Sequence, residues 1–286
     1  MNFARPAGTA PAGLLHLDLN FSRASLFACA GVLAALNAQA SQIIATLGGP
    51  TAAAALFTLG GISAVIWFAM YAALKVGFEA DGGPVSPRDT AVLAAVVLLA
   101  FLPISLAAHA GLLLCALYVL ATSRPGGSAG RVGFVLLALT GPLIWGRILL
   151  RLFAAPLLSL DAHVVASIIG TPVDGNTVQF ANSTKQFLIG APCSSVHNMS
   201  LAVVLWTTAA VLFRVKPDAR YVGCGLAMVA LMFTLNIARL SAIGLFPGSF
   251  ELLHIGAGAE MFGWAGLIGA GLIAGLGVVH ASVRQR

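Results

Sequence analysis

The segment Gly190-Ala191-Pro192-Cys193-Ser194-Ser195 carries the residue type best suited to covalent chemistry. Pro192 does not fit a helix interior, so the following helix is expected to begin just after it. Cys193 and Ser194 then fall at or near the N-cap. Unpaired N–H groups and the positive end of the helix dipole favour a thiolate there, and the thiolate is the nucleophilic form. The other three cysteines, Cys29, Cys115 and Cys224, lie inside apolar runs, where a thiol behaves as a small hydrophobe. A cation and a proton carrier are available elsewhere in the chain. Arg239 lies in the run LNIARLSAIGLF with Asn236 three residues before it on the same helical face. A guanidinium can hold a thiolate, a developing oxyanion or a substrate carboxylate. His254 follows the turn Phe246-Pro247-Gly248 and opens the last apolar run, and an imidazole exchanges protons near neutral pH. A thiolate with a cation and a base beside it is what acyl transfer through a thioester requires. His197, four residues after Cys193, is the competing base, since it can reach the cysteine along the same helix.

The elements that carry these residues are membrane helices. Of 286 residues, 59% are hydrophobic and 8% charged, and the mean hydropathy is +0.97. So few charges cannot coat a water-facing surface, and the chain is expected to be integral to a membrane. Eight apolar runs are read as spans: 24–46, 51–74, 90–106, 108–122, 132–153, 196–213, 221–243 and 255–281. Within 90–122, Pro103 and the small residues after it predict a reversal near 106–109. Ala38-Gln39-Ala40 resembles a signal cleavage site, but the preceding run is long and lacks a compact basic leader, so it is kept as a span.

Basic residues orient the spans. Arg124 and Arg131, then Arg214, Lys216 and Arg220, then Arg284 and Arg286 fall in short polar segments. All become cytoplasmic with eight spans, together with Arg5, Arg23, Lys75 and Arg88. Residues 1–23 are expected to form a cytoplasmic tail, with an interfacial helix near 13–20, and 24–286 a single transmembrane catalytic domain. The net charge of +6 is read as this orientation signal, because no basic groove with interleaved aromatics suggests nucleic acid.

The long polar excursion, 154–195, becomes extracytoplasmic. Residues 157–169 predict a short interfacial helix. Asp174-Gly175-Asn176 is a turn signal, Thr177 to Phe180 alternates as a strand does, and Gln186 to Ile189 makes a second strand. The expected fold is therefore an all-α polytopic membrane protein of about eight transmembrane helices, capped by a small extracytoplasmic helix and β-hairpin. Positive-inside counting brings Cys193, Arg239 and His254 to one face. Arg147 and Arg151 run against that trend, and are expected to pair with Asp161 or Glu251 or to guide substrate. No His/Cys group has metal-ligand spacing, and no metal or organic cofactor is called for.

The pieces APCSS at 191–195, NIAR at 236–239 and HIGAGAEMFGW at 254–264 together resemble the exosortase/archaeosortase family of membrane cysteine transpeptidases. The resemblance covers roughly residues 90–280 and is strongest over 160–265. It implies an eight-helix fold with a Cys193, Arg239 and His254 site. Ser194, Ser195, Asn236, His197, Arg147 and Arg151 are read from their positions as supporting or substrate-binding residues. The resemblance also implies, as partners, exported proteins bearing a C-terminal tag of short motif, apolar helix and basic tail, cleaved at the outer face of a bacterial inner membrane. Many members read Cys-Ser-Gly where this chain reads Cys193-Ser194-Ser195, which leaves the nucleophile intact and the tag open. The alternative is a transporter or an assembly subunit for exopolysaccharide export, which would place ionisable residues at mid-bilayer. A rhomboid-like serine protease using Ser194 or Ser195 lacks its GxSxG-type setting.

Overall fold

The computed structural model describes residues 21–48, 59–79, 83–124 and 126–284. The tail predicted over residues 1–23, with its interfacial helix, and the first part of the predicted second span, 51–58, lie largely outside these residues. Helices dominate. In chain order they are α1 (Arg23–Ala38), α2 (Ala40–Leu47), α3 (Ala64–Phe78), α4 (Pro87–Phe101), α5 (Ser105–Thr122), α6 (Ser128–Thr140), α7 (Gly146–Leu152), α8 (Ala154–Ile169), α9 (Ser195–Leu212), α10 (Ala219–Leu245), α11 (Phe250–His254) and α12 (Ala257–Arg284). Four stretches are long and apolar enough to cross a membrane: Ser128–Leu152, α9, α10 and Ala257–Val283. The pair α1 and α2, bent by 57°, would make a fifth. Large apolar side chains such as Phe101, Leu106, Met261, Leu272 and Leu276 point outward, more than 60% exposed. A helical protein with this outer surface is a membrane protein.

The reversal inside 90–122 occurs at residues 102–104, earlier than 106–109. Leu102 precedes Pro103 and takes an extended backbone, ψ 136°, as a residue before proline must. The predicted fifth span is one continuous path in which α6 passes into α7 through a π-helical turn, Gly141–Trp145. The last helix starts later than expected. His254 closes the short α11 and does not open α12. The N–H groups of Ile255 and Gly256 both turn back to the Glu251 carbonyl, which ends one helix before Ala257 begins the next.

Small residues set the packing. Ala24, Ala28, Ala34 and Ala35 of α1 are buried, and α1 touches α3, α4, α5 and α6. Alanine-rich faces let helix backbones approach closely where lipid supplies no hydrophobic drive between helices. α9 links this group to α10 and α12. A second, separate apolar cluster joins α8 and α10 to a three-stranded antiparallel sheet. Its strands are β1 (Val173–Asp174), β2 (Thr177–Gln179) and β3 (Gln186–Leu188). β2 and β3 occupy the two predicted strand positions; β1 adds a third, pairing Val173 with Val178. Gly175 makes the intervening turn at φ +56°, a conformation glycine adopts without strain. Gly244 lets the sheet lie on α10: a Cβ there would stand 2.6 Å from Ile169 and 3.3 Å from Phe187.

Several of the basic residues gather at one end of the bundle. Arg23 bonds Asp89, Ser123 and Thr122, Lys75 pairs with Glu79, and Glu79 stands near Arg131 and Arg214. α9 runs from the opposite end to this one. Its 18 residues span about 27 Å at 1.5 Å per residue.

Candidate active site

The opposite end holds Cys193. The chain leaves β3, and the turn is pinned by two bonds between Asn176 and Ile189: Ile189 N–H donates to the Asn176 carbonyl and Asn176 Nδ2 to the Ile189 carbonyl, both at 2.9 Å. Pro192 then starts a short 3₁₀ turn, Ala191–Cys193. Ser194 is the N-cap of α9, its hydroxyl accepting from Val196 N–H. Cys193 therefore sits just outside the helix, at the position Pro192 dictates.

Asn236 is the hub. It is buried on α10, and its Nδ2 donates to the Cys193 carbonyl at 2.8 Å and to Ser195 Oγ at 3.1 Å. Its Oδ1 accepts from Arg239 Nη2 at 3.1 Å and from Asn198 Nδ2 at 3.3 Å. One amide thus ties the Cys193 turn, α9 and the guanidinium together. The helical spacing of Asn236 and Arg239 was legible in the sequence. Asn198, three residues beyond Ser195 on α9, was not singled out.

Asp161 is the other residue the sequence left outside the site. It comes from α8, is 3% exposed, and accepts from the backbone N–H of Ser195 at 2.9 Å. It caps α9 from a neighbouring helix, at the end where N–H groups lack partners. Arg147 and Arg151 do not pair with it. Among the described residues the ion pairs are Arg23–Asp89 and Lys75–Glu79. The carboxyl group instead accepts from Ser195 and Ser194, beside Cys193.

Burial pushes the Cys193 thiol above its ordinary value; the Arg239 charge and a backbone hydrogen bond from Gly190 pull the other way without cancelling it. This corrects the expectation of a resting thiolate at a helix N-terminus. The sulfur belongs to the second apolar cluster, among Ile189, Ile237 and Leu240, and desolvation of the anion outweighs the nearby dipole. A thiol held protonated needs a base at the moment of attack.

Arg239 is half-buried. Its Nε is buried without a hydrogen-bond partner among the described residues. The side chain lines a cavity of about 430 Å³, whose other lining residues include Asn198, Asn236, Glu260, Met232 and Trp264. A guanidinium on a cavity wall can donate to an oxygen of a ligand.

The two imidazoles lie apart. The His254 ring lies 4.9 Å from that of Phe250 within α11, tilted by 34°, and Phe250 and Leu253 pack on the cluster containing Cys193. His197 is exposed on the first turn of α9, close enough to Arg147 for the two charges to interact. Among the described residues, no hydrogen bond joins either ring to the sulfur. Arg147 donates to Gln39 Oε1 at 3.3 Å, and Arg151 is exposed in the last turn of α7. No group of three or more metal-ligating side chains occurs among the described residues.

Asp161 yields a pH prediction. Burial, the largest effect, raises its carboxyl above the ordinary 3.8, against hydrogen bonds from Ser195 and Ser194. A folded-state value above the unfolded one means that its contribution to stability is complete below about 3.8 and is lost as pH rises through the folded value. Asp161→Asn keeps an acceptor for Ser195 N–H and removes the titration. The melting temperature of wild type should therefore fall, relative to Asp161→Asn, as pH rises through that window. Parallel curves would mean that the carboxyl titrates as it does in the unfolded chain.

No protein-family model matches the chain, and searches of curated proteins and of solved structures likewise found no match.

Proposed function

We propose that the protein is an exosortase-like membrane cysteine transpeptidase or endopeptidase, cutting C-terminal sorting tags of exported proteins through a thioester at Cys193. The observation that carries the reading is the Asn236 hub, which bonds both the Cys193 turn and Arg239. A cysteine and a guanidinium held by one buried amide make a nucleophile with an oxyanion donor beside it.

In this reading the bundle has eight spans and the basic end faces the cytoplasm, following the positive-inside trend. The site then faces outward in a bacterial inner membrane, under α8 and the small sheet acting as a cap. The base removes the proton from Cys193 Sγ, and the thiolate attacks the scissile carbonyl. Arg239 stabilises the oxygen that becomes negative. Collapse breaks the C–N bond, the imidazolium returns its proton to the leaving amine, and a thioester remains. An acceptor amine or water, deprotonated by the same imidazole, then attacks the thioester and the sulfur leaves as thiolate.

His254 is assigned as that base. α11 is a five-residue helix, and a small shift of it would bring the ring toward the cluster its Phe250 already contacts. Catalytic hydrogen bonds are often long before substrate binds. The test uses purified protein and a tagged substrate. A hydroxylamine-sensitive acyl adduct should map to Cys193 by peptide mass. His254→Gln should slow its formation about 10²-fold or more, whereas His197→Gln should leave the rate within a few-fold. Loss with His197→Gln alone would move the base to α9; absence of any adduct on Cys193 in turning-over enzyme would remove the thioester mechanism.

A further inference from the structure

A second polar group lies on the outer surface of the helices. Arg147, on α7, is exposed, and among the described residues its hydrogen bond runs to Gln39 Oε1. Gln39 is 6% exposed, at the break between α1 and α2. His197 projects from the first turn of α9, and α7 and the π-helical turn before it both touch α9. A π-helical turn displaces side chains from the ordinary helical register and recurs at functional positions. No acidic side chain pairs with this guanidinium among the described residues.

Depth and surroundings identify the occupant. Arg147 comes 19 residues after Ser128, the first residue of its span, which is about 29 Å along the helix. A bilayer's hydrocarbon is about 30 Å thick, so the guanidinium reaches the depth of the headgroups at the end remote from the basic residues. Around it the surface is apolar and outward-facing: Trp145 is 47% exposed, Leu149 43% and Leu152 69%. At that depth the guanidinium lies within reach of lipid headgroup phosphates. Arg147 and Arg151 share one helical face, four residues apart, and basic residues at this end oppose the orientation rule.

We propose that Arg147, oriented by Gln39 and flanked by His197 and Arg151, is a binding site for the phosphodiester of a membrane phospholipid. The fork of a guanidinium fits two phosphate oxygens. Gln39 leaves part of that fork free. The proposal does not depend on the thioester reading, since the site shares no hydrogen bond with the Asn236 hub.

The experiment is native mass spectrometry of the delipidated full chain titrated with dioleoyl phosphatidylglycerol. Dioleoylglycerol, with the same chains and no phosphate, and inorganic phosphate serve as the other arms. Wild type should retain one phosphatidylglycerol, and Arg147→Gln should weaken retention about tenfold, in line with the contribution of a basic residue near anionic lipid. Should that variant fail to fold, Gln39→Met, which removes the orienting acceptor at similar volume, should weaken it several-fold. Equal retention by the variants, or equal binding of dioleoylglycerol, would overturn the site. Displacement of the lipid by millimolar inorganic phosphate would overturn its assignment to a lipid and leave a free-phosphate site.

Discussion

Cys193→Ala should reduce tag processing by at least on the order of 10³-fold, because the proposed acyl bond forms at the Cys193 sulfur and the neighbouring Ser194 and Ser195 hydroxyls are far weaker nucleophiles than a thiol. The variant should still fold. Cys193 is 8% exposed at the edge of the cluster formed by α8, α10 and the sheet, and deleting one sulfur costs about 1 kcal/mol of packing there. Its backbone anchor, the Cys193 carbonyl to Asn236, does not involve the side chain. The measurement is the fraction of tagged substrate cleaved on co-expression, with circular dichroism and melting temperature of the purified variant as the folding check. Cys193→Ser should be nearly as impaired, since a hydroxyl is far less ionised than a thiol and the burial that raises the thiol would raise it as well. Cys115, which is fully buried against the Phe27 carbonyl, and the half-buried Cys29 and Cys224 should be dispensable together. Wild-type processing by Cys193→Ala would end the cysteine-enzyme reading altogether.

The second large effect is expected at Arg239. Arg239→Gln should lower processing by about 10²- to 10³-fold, the usual cost of losing one oxyanion donor. It should also alter the thiol itself. The guanidinium charge opposes the burial that raises Cys193, so its removal leaves burial less opposed and the thiol rises further. The pH profile for alkylation of Cys193 should therefore move to higher pH, with a slower rate at any fixed pH below its midpoint. Arg239→Lys restores the charge without the fork, so it should return the alkylation profile toward wild type while recovering only part of the processing. That split separates an electrostatic role from a structural one. Unchanged processing and an unmoved profile in Arg239→Gln would show that the arginine serves neither the thiol nor the reaction.

The sequence was most informative where the determinant is local. Apolar length and sparse charge mark the helices, and Pro192 before Cys193 marks the start of α9. The three-residue spacing puts Asn236 and Arg239 on one face of α10 without reference to any other element. The alternation at 177–180 likewise reports a strand, because the period is a property of the strand itself, and the short apolar run at 186–189 after a turn signal reports its partner.

Long-range relations decided the rest. Asp161 caps a helix that begins 34 residues later, and Arg147 meets Gln39 across 108 residues; no spacing rule encodes either distance. The protonation of Cys193 turned on its neighbours in the apolar cluster, since the dipole of α9 is local while desolvation depends on every element packed around the sulfur. His254 moved from the start of the last span to the end of a separate short helix through bonds back to one carbonyl. Residue types and their period were thus fixed by the chain; which groups share a low-dielectric environment, and hence which are charged or paired, was set only when distant helices packed together.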